Sequence, residues 1–402
     1  MDTVLITDGN QRKALAAARA LGAAGWRVLV AEETTCQMTR FSRYVSGALR
    51  SPPPPDTDRY AAWLVTTARE HGVDLVLPMD DGSTAAAVRV SDELGTRVLV
   101  PGRNQWEAAR DKARTLALAR STGVPAPRGG PAPDLTIAAA LAHAVGYPVV
   151  IRARRESGGR GLAFVPGPGE LAPAYHRVRA RDPVPLVQRQ VPPGTLWDVC
   201  LLYDRAGTPR AAFVQRELRH FPLRGGTSTL QESAWRPDLI ALAVRLLAPL
   251  GWCGPVEVEF LEEPSSGRVW LMEINPRFWA SLALAVDCGL NFPLLAAALA
   301  KAPPTDQPCP SNKVPPPNEP RFPTEAPYPA GQRCRWLLPG DILHYLSNPE
   351  RSRLEPGFWR TYDERTRDDV WSREDPGPTL GFVLAALRLA FLPSTWRLIF
   401  RW

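Results

Sequence analysis

The first hundred residues alternate short apolar runs, rich in β-branched residues, with alanine-rich segments of helical periodicity. The pattern predicts strands at 3–7, 26–31, 73–78 and 96–101 and helices at 11–24, 58–71 and 83–94. Strands that alternate with helices at this spacing form a parallel sheet with helices on its faces. Residues 1–110 are therefore predicted to form an α/β domain.

The pattern changes after residue 110, where several strands follow one another closely. It predicts helices at 111–122, 134–145 and 236–249 and strands at 147–152, 185–191, 197–203, 210–217, 255–261 and 268–274. Closely spaced strands favour antiparallel pairing, so residues 111–301 are predicted to form an α+β domain.

Residues 302–330 are proline-rich and polar, which predicts a linker or an ordered wrap. The C-terminal extension, residues 331–402, ends in an apolar stretch at 379–402. Arg388, Pro393 and Arg397 interrupt this stretch, so it lacks the roughly 20 uninterrupted apolar residues of a membrane span. We expect a helix docked on the domain. The alternative is an amphipathic helix that rests on a membrane surface or on a partner protein.

Charge and cysteine content bear on the partners and the cellular location of the protein. The formal net charge is +7, but only four of the 48 cationic residues are lysines and the arginines are scattered. Because no basic helix or aromatic-interleaved strand stands out, we expect no nucleic-acid partner. The six cysteines lie far apart with no CxxC pair, and no N-terminal stretch resembles a signal peptide. Both features are typical of a cytoplasmic protein with reduced thiols.

A glycine-rich segment, "SGGRG" (157–161), follows the strand predicted at 147–152. Three glycines in five residues allow successive backbone N–H groups to surround an anion. Four arginines flank the segment: Arg152, Arg154, Arg155 and Arg160. Glycines together with arginines favour a phosphate clamp, although a flexible turn between strands would explain the glycines alone. The loop does not match a Walker A motif.

The runs "VEVEF" (256–260) and "VWLMEIN" (269–275) predict a β-hairpin. In an extended chain Glu273, Asn275 and Arg277 point to one face, and Glu257 or Glu259 would face Glu273 from the other strand. Acids left unpaired on apolar strands would be costly, whereas a shared Mg²⁺ bound to phosphate oxygens removes that cost. The alternative is an exposed hairpin face with solvated glutamates.

Asp80 and Asp81 lie just past the carboxyl end of the strand at 73–78, where open α/β sheets bind ligands. Alternatively, Asp81 or Ser83 would be the N-cap of the next helix. The sequence leaves both interpretations open.

These pieces occur in one order: "DKARTLALARSTGVPAPR", then "GYPVVIR" with "SGGRG", then "VQRQVPPG", then "VEF" with "EINPR". In this order they resemble an ATP-grasp domain, and the first region resembles the pre-ATP-grasp domain that precedes it. The likeness covers residues 1–301. It implies a parallel-sheet α/β N-terminal domain, an α+β ATP-grasp domain in two subdomains, and a C-terminal extension.

The resemblance also implies a nucleotide site. Lys112 matches the first ATP-contacting lysine of the family, and the second falls on Arg152, a departure that keeps the charge but changes its shape. Three further groups follow the same correspondence. They are the phosphate-binding loop Ser157, Gly158, Gly159, Arg160 and Gly161, the adenine-reading segment Gln188, Arg189, Gln190 and Val191, and Asp198 as a candidate for the ribose.

For metal and chemistry the resemblance implies Glu259 and Glu273 as metal-bridging acids and Asn275 as a third ligand. Arg277 matches the cation near the acyl phosphate. Residues 214–230 would form a mobile loop over the γ-phosphate, and Arg216 in this loop is a candidate phosphate or substrate contact.

The function implied is an ATP-dependent, Mg²⁺- or Mn²⁺-dependent ligase. It would join a small carboxylate to an amine or another nucleophile through an acyl phosphate, with release of ADP and phosphate. Alternatives are a non-catalytic nucleotide-binding module, an ATP-dependent carboxylase or kinase-like enzyme acting on a small acid, and a membrane-peripheral ligase anchored by 379–402. A homodimer stays open, and the substrates are not specified.

Overall fold

The computed structural model describes residues 1–156, 161–223, 225–301, 326–354, 357–360 and 363–391, with side chains as far as residue 384. Ser157, Gly158, Gly159 and Arg160 of the predicted phosphate clamp therefore lie outside the described residues.

The N-terminal region has a four-stranded parallel sheet in the order β3-β2-β1-β4. Its elements are β1 (Thr3–Ile6), α1 (Arg12–Ala23), β2 (Arg27–Glu32), β3 (Gly47–Arg50), α2 (Thr57–Glu70), β4 (Leu75–Leu77), α3 (Asp81–Arg89), α4 (Ser91–Leu94) and α5 (Arg103–Arg110). The two central strands, β1 and β2, are buried along nearly their whole length and mostly apolar, because helices cover both faces of the sheet.

Two details of this region differ from the sequence prediction. Residues 96–101 are not a strand: a 3₁₀ turn occupies Gly95–Arg97, and Val98 makes a single bridge to Val76. The run is apolar because Val98 packs against the sheet. The fourth strand is instead β3, which the prediction missed because only alternate positions of this edge strand are partly buried.

A small antiparallel sheet in the order β5-β8-β6-β7 begins the second region. Its elements are α6 (Lys112–Thr122), β5 (Gly129–Pro131), α7 (Leu135–Val145), β6 (Val149–Arg152), β7 (Leu162–Val165), α8 (Leu171–Arg179) and β8 (Leu186–Arg189). Helices α7 and α8 pack against this sheet around Val149, Ile151 and Tyr175.

A larger sheet follows, in the order β13-β12-β9-β10-β11-β14-β15. Its elements before residue 302 are β9 (Thr195–Tyr203), β10 (Pro209–Phe221), β11 (Thr227–Ala234), α9 (Pro237–Leu247), β12 (Gly254–Glu262), β13 (Val269–Asn275), α10 (Leu282–Asp287) and α11 (Phe292–Lys301). Helix α9 covers one face of this sheet with Leu239, Ile240 and Leu246. The other face packs partly against α1, α10 and α11 and is partly open.

The prediction of a mobile loop at 214–230 is wrong. Strands β10 and β11 pair as an antiparallel hairpin from Val214 and Ala234 to Phe221 and Thr227, with bulges after Glu217. The loop is reduced to the turn between Phe221 and Thr227. The polar residues that suggested a loop alternate between the two faces of the sheet.

The C-terminal residues add two strands, β14 and β15, to the edge of the large sheet. Their elements are β14 (Arg333–Arg335), α12 (Ile342–Ser347), α13 (Arg351–Leu354), β15 (Thr366–Asp368) and α14 (Gly377–Phe391). Residues 302–325 of the predicted linker lie outside the described residues. The described end is an ordered wrap, because Tyr328 is buried against Phe213 and Trp235.

The described part of the predicted tail, α14, is docked. Its Gly377 and Gly381 lie against Phe41 of the N-terminal region, and a Cβ at either glycine would meet Phe41 within 2.5 Å. Across the described residues, no helix has both the length and the apolar character required to cross a bilayer.

Candidate functional site

A cavity of about 1300 Å³ lies where the small sheet, the large sheet and the N-terminal region meet. Apolar side chains line one part of it on two sides. Val150 and Phe164 come from the small sheet, and Leu261 and Met272 come from the hairpin β12–β13. A slot with two apolar walls suits a flat, aromatic ligand such as a nucleobase.

The segment predicted to read adenine lies at this slot. Gln188 is buried opposite Val150, and Gln188, Arg189, Gln190 and Val191 all line the cavity. The Gln190 N–H donates to the Pro148 carbonyl (3.0 Å), which fixes the chain as it leaves β8.

The predicted β-hairpin is present, and its register decides which of the two acids on β12 faces Glu273. Glu259 lies directly opposite Glu273, and Glu257 lies opposite Asn275. The Asn275 Nδ2 donates to Glu257 Oε2 (3.0 Å) and to Glu259 Oε1 (2.7 Å). The four side chains therefore form one polar cluster at the cavity wall, and the interpretation as a solvated outer face is wrong.

Two cations converge on one oxygen of this cluster. The Lys112 Nζ lies 3.0 Å and the Arg152 Nη2 lies 3.1 Å from Glu273 Oε2. Lys112 also donates to the Glu156 carbonyl (2.6 Å), and Arg152 donates to the Met272 carbonyl (3.3 Å). Burial raises the pKa of Glu273, but Lys112 and Arg152 outweigh it and hold the pKa below its usual value.

Local structure explains why Lys112 reaches the site. It is the first residue of α6, whose N-cap Asp111 accepts from the Ala113 N–H (3.0 Å). The Arg154 side chain bonds the same carboxylate, and the Lys112 N–H donates to the Arg154 carbonyl (3.0 Å). Gly161, the described end of the glycine loop, has φ +64°, and a Cβ there would lie 2.6 Å from that of Ala153.

The remaining acids are not neutralised in the same way. Burial, followed by Glu273 and Glu257, raises the pKa of Glu259 well above its usual value. Burial, followed by Asp198, raises the pKa of Glu257 to about 8. Burial also raises the pKa of Asp198 to about 6, even though the Gln215 Nε2 donates to its carboxylate (2.8 Å).

This oxygen-rich set fits a hard divalent cation, because its excess negative charge is what a cation would compensate. In the part of the chain that the structure describes, no three His, Cys, Asp or Glu side chains already enclose a metal position. Glu259, Glu273 and the Asn275 amide would therefore hold the ion together with oxygens from a ligand.

The N-terminal region supplies the third wall. The Arg277 Nε lies 2.9 Å from Asp81 Oδ1, and the Lys13 Nζ lies 3.4 Å from Asp80 Oδ1 and 3.3 Å from the Phe278 carbonyl. Both acids line the cavity, as the ligand-site interpretation predicted. The predicted N-cap at Asp81 or Ser83 is wrong, because Asp80 is the N-cap of α3 and Asp81 and Ser83 lie in the first turn of the helix.

The comparisons agree with this geometry. Residues 111–191 match the family described as the carbamoyl-phosphate synthase L chain, ATP binding domain. Over these residues the chain resembles an ATP-binding domain. Its fold is similar to that of biotin carboxylase from Campylobacter jejuni, with a TM-score of 0.64 and 17% identity over 75% of this chain and 72% of that one. It is also similar to the fold of N5-carboxyaminoimidazole synthetase from Staphylococcus aureus, with a TM-score of 0.60 and 12% identity over 75% of this chain and 78% of that one.

Curated relatives share parts of the sequence. The D-alanine–D-alanine ligase of Halorhodospira halophila is 32% identical over 41% of this chain and 55% of its own length. The pyruvate carboxylase of Schizosaccharomyces pombe is 27% identical over 53% of this chain. This chain spans only 19% of that carboxylase and 39% of the carbamoyl phosphate synthase section of Methanopyrus kandleri.

One predicted site residue lies outside this cavity. Arg216 is on the opposite face of the large sheet, where its Nε bonds Glu232 Oε1 (2.9 Å). It does not line the cavity, so the predicted phosphate or substrate contact is wrong. Strand alternation explains the error, because Gln215 and Glu217 take the two inward positions of β10.

The sequence analysis missed three residues that line the cavity: Lys13, Glu217 and Gln231. A signal for Lys13 existed, since it follows the carboxyl end of the first parallel strand. Glu217 and Gln231 carried no such signal, because the sequence analysis did not predict β11 or its pairing with β10, which brings the two side chains together.

Proposed function

We propose that the protein is an ATP- and Mg²⁺-dependent ligase that joins a carboxylate to an amine through an acyl phosphate, releasing ADP and phosphate. The observation that carries the proposal is the convergence of Lys112 and Arg152 on Glu273, beside Glu259 and at the end of an apolar slot. Cations and metal-binding acids facing one another at a nucleobase-sized slot suit a triphosphate.

Each part of the site has a role in this proposal. Val150, Phe164, Leu261 and Met272 hold the base, and the segment Gln188–Val191 reads its edge. Asp198 lies toward the ribose. Lys112, Arg152 and the glycine loop ending at Gly161 bind phosphate oxygens.

Glu259, Glu273 and Asn275 would hold Mg²⁺, which supplies charge neutralisation for the phosphoryl group in transfer. Relatives with names of this kind, such as the D-alanine–D-alanine ligase, support the ligase class.

The reaction needs no nucleophilic side chain. A substrate carboxylate oxygen attacks the γ-phosphorus, the bond from that phosphorus to the β–γ bridging oxygen breaks, and ADP leaves. The amine nitrogen then attacks the acyl carbon, the bond from carbon to the phosphate oxygen breaks, and phosphate leaves while the nitrogen loses a proton. Arg277, aligned by Asp81, would neutralise charge on the acyl phosphate.

A carboxylase acting on a small acid is the second candidate, because biotin carboxylase is among the similar folds. Dependence on an added amine separates the two. A ligase releases phosphate only when carboxylate and amine are both present, whereas a carboxylase requires bicarbonate.

The test has two stages. Thermal unfolding with a non-hydrolysable ATP analogue is measured with and without Mg²⁺, and ADP release is then measured over panels of carboxylates and amines. We expect the analogue to raise the melting temperature more strongly with Mg²⁺. The absence of any shift with the analogue would contradict nucleotide binding. A shift without ADP release for any pair would favour the non-catalytic module.

The domain limits belong to the same proposal: a pre-ATP-grasp domain at 1–110, an ATP-grasp domain of two subdomains at 111–301, a linker at 302–330 and an extension at 331–402. The separate small and large sheets support the two subdomains. We also propose a cytoplasmic location, supported by thiols at Cys200, Cys253, Cys288 and Cys334.

A further inference from the structure

Gln231 is a buried polar side chain that the proposed mechanism does not use. It lies in β11, has no solvent exposure and lines the cavity. Among the described residues, neither its Nε2 nor its Oε1 has a hydrogen-bond partner. A carboxamide with both atoms unpaired in a protein interior is costly, and a ligand in the cavity would satisfy both atoms.

Glu217 is the cross-strand neighbour of Gln231 on β10 and also lines the cavity. Its Oε2 has no hydrogen-bond partner among the described residues, and the His220 Nδ1 lies 4.0 Å away. Strand β9 lies between β10 and β12, so this pair is separate from the hairpin acids. Together the pair offers carboxylate and amide acceptors and one amide donor.

Charge at this end of the cavity favours a cation. Arg12 lines the same end, but its guanidinium bonds Asp369 and the Ser228 carbonyl and stacks on Trp336. Lys13 is paired with Asp80. These cations are already engaged, whereas burial and then Asp198 and Glu257 raise the pKa of Glu217 well above its usual value. A cationic ligand beside Glu217 would favour the charged form of its carboxylate, a role that Arg12 and Lys13 do not fill because they are paired elsewhere.

We propose that Glu217 and Gln231 bind the ammonium group of the amine substrate, an inference that rests on the ligase function proposed above. The ammonium would donate to the Glu217 carboxylate and to Gln231 Oε1. Gln231 Nε2 would donate to an oxygen on the carbon next to the one that carries the amine. The chemical class that fits is a primary amine with an adjacent oxygen acceptor, the pattern of an α-amino acid or its amide.

The test uses the full chain and two variants, Gln231→Met and Glu217→Gln. The probes are the twenty amino acids and their amides, added singly in thermal unfolding with the Mg²⁺–ATP analogue present. We expect at least one probe to raise the melting temperature of the wild type and to lose that shift in both variants. In steady-state assays the KM for this amine should rise about tenfold or more, with the KM for ATP within about twofold.

Gln231→Met separates binding from a structural role. Because it removes two unpaired buried polar atoms, its melting temperature without amine should equal or exceed that of the wild type. Gln105→Met and Glu263→Gln, outside this pair, are matched controls. An amine shift that survives in both variants, or no shift with any probe in a wild type that responds to the ATP analogue, would overturn the proposal. Failure of the analogue itself would instead count against the proposed function.

Discussion

Arg152 illustrates how one residue changes a phosphate site. Its guanidinium spans two acceptors, the Glu273 carboxylate and the Met272 carbonyl, whereas a lysine would present one compact charge. We predict that Arg152→Met weakens Mg²⁺–ATP binding about 10- to 100-fold, because a charge-assisted contact to phosphate is lost. Arg152→Lys should keep most of the affinity. Calorimetric titration with the ATP analogue measures both, and equal affinities for Arg152→Met and the wild type would rule out a phosphate contact.

The second prediction at the scale of single residues concerns Glu273. Glu273→Gln keeps the side-chain shape but removes the charge that Lys112 and Arg152 share and that Mg²⁺ would bind. We expect Mg²⁺-dependent ADP release to fall roughly 100-fold or more. Glu263→Gln, in the turn of the same hairpin, is the matched control. Activity in Glu273→Gln comparable with this control would remove the metal assignment.

At the scale of elements, alternation along β10 decides which side chains meet the ligand. Glu217 lines the cavity, Gln215 on the same face donates to Asp198, and Arg216 points away, toward Glu232. We therefore predict that Arg216→Ala leaves turnover unchanged and lowers the free energy of unfolding by only about 0–1 kcal/mol, because the ion pair is partly exposed. Parallel turnover and urea-unfolding measurements test this. A large loss of turnover with unchanged stability would disprove the placement.

Tyr328 joins the C-terminal residues to two strands. Its hydroxyl accepts from the Val214 N–H (2.7 Å) and donates to the Ala234 carbonyl (2.9 Å), and the side chain is buried. Tyr328→Phe leaves these backbone groups without their partner, so we expect a loss of about 1–3 kcal/mol in the free energy of unfolding. Tyr44→Phe is a control for a hydroxyl at a more exposed position. Equal stability of the two variants in urea would contradict this account.

At the scale of the whole molecule, Lys13 lies at the contact between the N-terminal region and the segment after β13. Burial, followed by Arg277, lowers its pKa from 10.5 to about 8. Between these values the unfolded chain holds a proton that the folded protein does not, so stability rises with pH in this window. Below pH 8 the folded protein carries a buried charge whose cost is fully present.

We therefore predict that Lys13→Met is more stable than the wild type at pH 7, by up to about 3 kcal/mol, and that the difference shrinks toward pH 10.5. Urea unfolding at pH 7, 8.5 and 10 measures the difference. Lys301→Met, which removes an exposed lysine, is the control. A difference that does not change with pH would show that the interface leaves the lysine's titration unaltered.

Much of the site was predictable because short-range rules place its residues. Two-residue alternation and the turn at 263–268 set Glu259 opposite Glu273, and the helix start at Asp111 sets Lys112. Arg216 was wrongly assigned to a mobile loop because the glycines near residue 225 suggested one, whereas pairing between β10 and β11 makes most of this segment a hairpin. Pairing between strands is a non-local interaction that periodicity within one segment does not report.

The sequence by itself determined the parallel N-terminal sheet, the hairpin with its acids on one face and the order of motifs, since each depends on neighbours along the chain. Only the tertiary structure decided that Lys112 and Arg152 share one oxygen of Glu273, that Arg277 meets Asp81, and that residues after 326 complete the large sheet. Those contacts join segments distant in sequence, and their energies depend on burial, which arises only when the sheets pack together.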